Sequence, residues 1–279
     1  MENDEWFSQL PLAPIDSWQP VSGGDINEAY QVVAQGKTYF IKVQPNQQES
    51  YFAHEKRGLE ELSKVVNTPH PIASGQIDGD AYLVLNWIDE GDGSQTELGR
   101  AVARMHQRHN DQFGFYTSHH TKALFKDNHF NADWVDYYVN QRLMPERATA
   151  KKLGRWNEFR EEHFQHMVDR FSQYYRQNPP VPSLCHGDLW AGNFMFAVDG
   201  TPTLIDPDAL YGDREYDLAM TTIFGGFSSD FYRAYNEAYP LKPGFENRLP
   251  WYQFYYLCMH LILFGETYGP SVDRILNQY

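Results

Sequence analysis

The residues with the clearest chemical potential lie in the run His186-Gly187-Asp188-Leu189-Trp190-Ala191-Gly192-Asn193. An aspartate followed five residues later by an asparagine suits phosphoryl transfer to an alcohol. Asp188 would accept the proton of the attacking hydroxyl and aim its oxygen at phosphorus. The loop would then return to set the Asn193 side-chain oxygen on a metal ion. Thirteen residues further on, the apolar stretch Thr203-Leu204-Ile205 ends in Asp206-Pro207. That is the distance at which a hairpin delivers a second metal-binding carboxylate. Asn193 and Asp206 are therefore expected to hold Mg²⁺, a hard cation that prefers oxygen. Asp208 is close by but is not counted among the ligands, because such sites use few protein carboxylates. His186 reads as a buried organiser of the loop, since Asp188 already supplies the base.

A nucleotide must also be gripped. Lys42 sits inside the β-rich run Tyr39-Phe40-Ile41-Lys42-Val43. A charge on a half-buried strand needs a partner, and Glu55 on the following helix is the expected one, ahead of Glu49 and Glu60. The pair would position the α- and β-phosphates of ATP. Upstream, Gly23 and Gly24 permit a turn whose N–H groups face phosphate, although a plain hairpin turn fits the same residues. Asn86, Trp87 and Ile88 form the expected hinge, where backbone groups would meet adenine. Trp190 reads either as a flat wall beside the attacking hydroxyl or as packing beneath the loop.

These groups need elements to hold them. Strands are expected over 29–34 and 37–43 around Gln35-Gly36, and over 72–77 and 81–86 around Asp78-Gly79-Asp80. A helix is expected over 50–63. Beyond Asp92-Gly93-Ser94 the pattern turns helical, with helices over 94–107, 133–144, 156–175, 217–224 and 245–265, and a strand-loop-strand region over 183–206. The fold class this predicts is α+β, a protein-kinase-like two-lobed fold with a small β-rich N-lobe (1–88) and a larger helical C-lobe (89–279). His119-His120 reads as a solvated turn.

Composition narrows the partners. A net charge of −14 excludes the basic face that a nucleic-acid binder needs and repels anionic membranes. The longest apolar stretch, 254–264, is broken by His260 and too short to cross a bilayer. The acidic N-terminus does not read as a signal peptide. Two cysteines outside any CxxC pair suit a reducing cytoplasm.

Along nearly its whole length the chain resembles the fructosamine kinase (ketosamine-3-kinase) family, within the aminoglycoside-phosphotransferase and choline-kinase-like group. The resemblance rests on the 186–193 run and on Asp206-Pro207-Asp208-Ala209-Leu210-Tyr211-Gly212-Asp213-Arg214-Glu215-Tyr216-Asp217-Leu218-Ala219. Gly225-Gly226-Phe227, Tyr235 and Pro243-Gly244-Phe245 add to it. It implies ATP-dependent, Mg²⁺-supported phosphorylation of the 3-hydroxyl of a small or protein-bound ketoamine, in deglycation repair. A kinase of another small alcohol or an aminoglycoside is the alternative. Asn86 stands where members often carry Glu, and Asp25 where some carry Cys. The acidic run Asp208, Asp213, Glu215 and Asp217 offers carboxylates for the acceptor's amine, with Asp217 the one expected to cap a helix instead.

Overall fold

The computed structural model describes residues 4–12, 14–21, 27–121 and 124–279. A short helix α1 (Asp4–Ser8) precedes strands β1 (Ile15–Pro20), β2 (Glu28–Ala34) and β3 (Lys37–Gln44). A 3₁₀ turn over Glu49–Phe52 leads into α2 (Ala53–Leu62), followed by β4 (Pro71–Ile77) and β5 (Asp80–Asn86). The strands form one antiparallel sheet in the order β1-β2-β3-β5-β4. Both predicted hairpin turns carry two left-handed residues, Gln35 and Gly36 (φ 50° and 69°) and Asp78 and Gly79 (φ 52° and 94°). That geometry matches the twist of the flanking strands.

Side-chain alternation in β3 explains why Lys42 is where it is. Ile41 and Val43 face the cluster that α1 closes with Trp6 and Phe7. Phe40 shares the opposite face with Lys42 and packs with Phe52 and Leu59 from the α2 side. The lysine therefore points at α2. Burying rings such as Phe52 contributes about 1.5–3 kcal/mol each, so the 3₁₀ turn and α2 are pinned to the sheet.

The second part is mainly helical. It begins with α3 (Gln95–His106), capped by Ser94 accepting from Thr96 N–H. A small hairpin, β6 (His119–His120) and β7 (Phe125–Lys126), follows. Helices α4 (Trp134–Tyr138) and α5 (Met144–Lys152) are joined through a π-helical turn over Val139–Leu143, so the expected 133–144 helix runs on to 152. Next come α6 (Glu158–Gln177), β8 (Ser183–Cys185), β9 (Phe194–Phe196), β10 (Pro202–Leu204) and β11 (Leu210–Gly212). The chain ends with α7 (Arg214–Thr221), α8 (Ser229–Ala238), α9 (Leu249–Phe264) and α10 (Gly269–Leu276).

The aromatic residues concentrate in the core of this part. Trp134 stacks on Tyr137 and Tyr138, and the polar tips of Trp134 and Tyr138 find partners. Trp134 Nε1 donates to Tyr252 Oη at 2.9 Å, and Tyr138 Oη to the Trp251 carbonyl at 3.0 Å. Cys185 and Cys258 are free and fully buried, and burial pushes both thiols well above their ordinary range. Among the described residues, no helix is long and apolar enough to cross a membrane.

Candidate active site

Lys42 is 3% exposed. Its Nζ lies 2.7 Å from Glu55 Oε1 and 2.7 Å from Asp206 Oδ1. Burial alone would pull the ammonium down, but the two carboxylates outweigh it and hold Lys42 above the ordinary lysine value. Three residues from β3, α2 and the segment after β10 thus share one charge cluster. Asp206 has φ 53°, a left-handed conformation that costs a non-glycine residue energy and recurs at functional sites.

The loop carrying Asp188 is tied to the Asp206 segment. Asn193 Nδ2 donates to Asp188 O at 2.9 Å and to Asp188 Oδ2 at 3.0 Å. Ile205 N–H donates to Asn193 O at 3.0 Å. His186 is fully buried; its Nδ1 accepts from Asp188 N–H at 3.3 Å, which leaves Nε2–H to donate to Ile205 O at 2.8 Å. Asp188 is pushed up to about 7, chiefly by burial and further by Asp208 and Asp206, against the pull of Lys126 and Asn193. Only glycine fits at 187. Its φ is 86°, and an added Cβ would stand 1.8 Å from Asp208 O.

Asp217 is a positioning residue that sequence reading missed. It does not cap α7; Asp213 does, accepting from Glu215 N–H. Asp217 is fully buried, with Oδ2 accepting from His186 N–H at 2.6 Å and Oδ1 from Gly187 N–H at 2.8 Å. His106 Nε2 lies 3.0 Å from the same Oδ2. The bonded residues come from 30 and 31 positions upstream, which no local pattern encodes.

The acidic run does not build an open acidic pocket. Asp213 Oδ2 also accepts from Tyr175 Oη at 2.7 Å and Tyr252 Oη at 2.8 Å. Glu215 is buried in a two-pronged pair with Arg248 at 2.6 and 2.8 Å. Asp208 alone reaches the cleft, where Lys126 pairs with it and His54 and His119 each approach to 3.2 Å. Burial would raise its carboxyl, but the Lys126 charge and the hydrogen-bonding contacts of the two histidines outweigh it and hold it well below the usual range. The solvated turn expected at His119-His120 is instead the β6 strand, with His119 stacked on His54 at 3.9 Å.

A cleft of about 660 Å³ brings together Lys42, Glu55, Asp188, Trp190, Asn193 and Asp206. Trp190 is 40% exposed, with its ring over Gly192. Asn86 ends β5 and Trp87 and Ile88 follow it, all three outside that lining. Asn86 Oδ1 accepts from His70 N–H, and Trp87 N–H donates to Thr38 O. Gly23 and Gly24 lie outside the described residues. The donor set fits a hard divalent cation. Both Asn193 amide contacts go to Asp188 through Nδ2, which leaves Oδ1, and Lys42 contacts only Oδ1 of Asp206, which leaves Oδ2.

A β-rich lobe carrying a buried lysine–glutamate pair, set against a helical lobe carrying the aspartate loop, defines a phosphotransferase of the protein-kinase-like fold, one that uses ATP and acts on a hydroxyl group. The chain belongs to the fructosamine kinase family, whose model matches residues 3–279. It is 53% identical over 274 residues to a protein of Lactiplantibacillus plantarum named a probable ketoamine kinase, covering 98% of each chain. It is 30% identical to the chloroplastic protein-ribulosamine 3-kinase of Arabidopsis thaliana, covering 93% of this chain and 81% of that one. A crystal structure from Thermobifida fusca that bears the fructosamine-3-kinase name superposes with a TM-score of 0.84 at 27% identity. That match covers 95% of this chain and 93% of the other.

Proposed function

We propose that this protein transfers the γ-phosphoryl group of ATP to the 3-hydroxyl of a ketosamine, the product of a sugar and an amine, in the repair of glycated amines. The observation that carries the reading is the joining of Lys42–Glu55–Asp206 and Asp188–Asn193 in one cleft. The names of the ketoamine and ribulosamine kinases among its relatives supply the acceptor class. Two unpaired cysteines suit a cytoplasmic setting.

In this reading residues 1–88 cover the nucleotide and residues 89–279 hold the catalytic loop and the acceptor. The Lys42 ammonium, oriented by Glu55, binds phosphate oxygens. Asn86 to Ile88 offer backbone groups to adenine. Asn193 and Asp206 would hold Mg²⁺, which supplies neutralising charge for the transferring group. Asp188 accepts the proton of the acceptor hydroxyl as the new O–P bond forms and the bond to the leaving β-phosphate oxygen breaks. Trp190 presents its exposed ring to the C–H face of the sugar.

The test is a steady-state comparison of fructosamine, ribulosamine and aminoglycoside acceptors at one fixed ATP concentration, with the phosphorylated oxygen located by NMR. Ketoamines should give the higher kcat/KM, with phosphate on O3. Asp188→Asn should lower kcat by about 10²–10⁴-fold and leave ATP affinity nearly unchanged. An aminoglycoside preference would overturn the acceptor, and near-normal kcat in Asp188→Asn would overturn the base.

A further inference from the structure

A ketosamine carries a secondary amine that is cationic near neutral pH, yet the carboxylates of the acidic run 208–217 are already engaged. Asp213, Glu215 and Asp217 are buried with partners, and Asp208 is matched by Lys126 and two histidines. What the cleft does present is an aromatic wall. Helix α9 contributes His260 and Phe264, one turn apart; Tyr268 follows in the 3₁₀ turn Glu266–Tyr268, and Phe224 comes from the segment after α7. Their rings lie 5.0 Å (Phe224), 5.6 Å (Phe264) and 4.9 Å (Tyr268) from the His260 ring. Phe264 is 56% and Phe224 41% exposed. All four line the same cleft as Asp188 and Trp190. Large exposed rings gathered at a reaction cleft need an explanation that scattered ones do not.

The hydrogen bonding of His260 fixes its tautomer. Nδ1 lies 2.7 Å from the Tyr256 carbonyl oxygen. A carbonyl only accepts, so Nδ1 carries the proton and a neutral ring keeps its lone pair on Nε2. Burial holds the imidazole below its ordinary value, which favours that neutral form. A lone pair flanked by aromatic faces attracts a cation that also carries an N–H. The break in the apolar run 254–264 thus falls at the imidazole of this wall.

Resting on the ketosamine reading above, we propose that His260 Nε2 and the rings of Phe224, Phe264 and Tyr268 form the subsite for the acceptor's ammonium group and its apolar substituent. The favoured acceptors are then ketoamines of amines bearing an aliphatic or aromatic group. The amine N–H donates to Nε2, the positive charge rests against the ring faces, and the sugar extends toward Trp190 and Asp188.

The experiment compares two acceptors that differ at one atom, 1-benzylamino-1-deoxyfructose and its neutral ether counterpart 1-O-benzylfructose. Wild-type protein should show a KM for the amine roughly tenfold below that for the ether. His260→Phe keeps a ring but removes the lone pair, and Phe264→Ala removes an exposed ring with little risk to folding. Both should raise the amine's KM toward the ether's while kcat and the KM for ATP stay within about twofold. Equal use of amine and ether by the wild type overturns the subsite and leaves the ketosamine reading standing, as does an amine-to-ether ratio unchanged in both variants. Failure of the wild type to phosphorylate any ketosamine overturns both.

Discussion

Asp217→Asn exchanges one oxygen of a fully buried carboxylate for an amide nitrogen. In the wild type, Oδ1 accepts from Gly187 N–H at 2.8 Å, and Oδ2 accepts from His186 N–H at 2.6 Å while lying 3.0 Å from His106 Nε2. Asparagine keeps one acceptor, so its NH₂ must face one of the two backbone N–H groups, donor against donor. A hydrogen bond to a charged group contributes about 1.5–3 kcal/mol, and an orphaned buried N–H costs about 1–3 kcal/mol. Part of each is recovered by relaxation, so a loss of roughly 3 kcal/mol in unfolding free energy is expected. The two N–H groups belong to the residues immediately before Asp188. The same rearrangement therefore shifts the base, and kcat should fall by about 10²-fold. The KM for ATP should hold, because Lys42, Glu55 and Asp206 make no contact with Asp217. Urea denaturation and steady-state kinetics on the same preparation decide the matter. A variant that loses stability yet keeps wild-type kcat would refute the positioning role, and a loss below about 1 kcal/mol would refute the energetic reasoning.

Gly187→Ala should cost about 3 kcal/mol or more, since it combines a left-handed residue with a Cβ 1.8 Å from Asp208 O; a wild-type melting temperature would contradict this. Asp206→Ala should lose metal-supported turnover, and full activity in excess chelator would remove the metal from the scheme. Glu146 is 1% exposed, and burial pushes its carboxyl well above the usual value despite Lys126 and Arg142. The folded chain therefore keeps a proton that the unfolded chain releases above about pH 4.5. Wild-type stability should fall as pH rises from there toward the folded value, by about 1.4 kcal/mol for each step of one in pH. Glu146→Gln should gain on the wild type as pH rises above about 4.5 in denaturation curves, and a difference that stays flat with pH would overturn the assignment.

The features legible in the sequence are those with a short physical reach. Alternation around Lys42, turn residues at 35–36 and 78–79, and the 186–193 spacing each report a conformation within a few residues. So β2, β3, β4, β5 and the aspartate loop can be read directly. Helices α8 and α10 escape that reading, and the 133–144 pattern does not disclose the π-helical turn that carries the chain on to Lys152. The carboxylates mislead for a different reason. Nothing near Glu215 announces Arg248, and nothing near Asp208 announces Lys126, because those partners arrive through tertiary packing. His119 likewise reads as solvated in a sequence that cannot show β6 bringing it onto His54.

The two sealed thiols turn the molecule into its own clock. Cys185 immediately precedes His186, and Cys258 sits well inside α9. A buried thiol held in its neutral form reacts with a disulfide reagent only while its surroundings are open. Labelling at Cys185 therefore times the parting of β8 from β11 beside the catalytic loop, and labelling at Cys258 times exposure of the helical core. The difference between the two rates separates fraying of the reaction centre from global unfolding, in the unaltered chain and without any introduced probe.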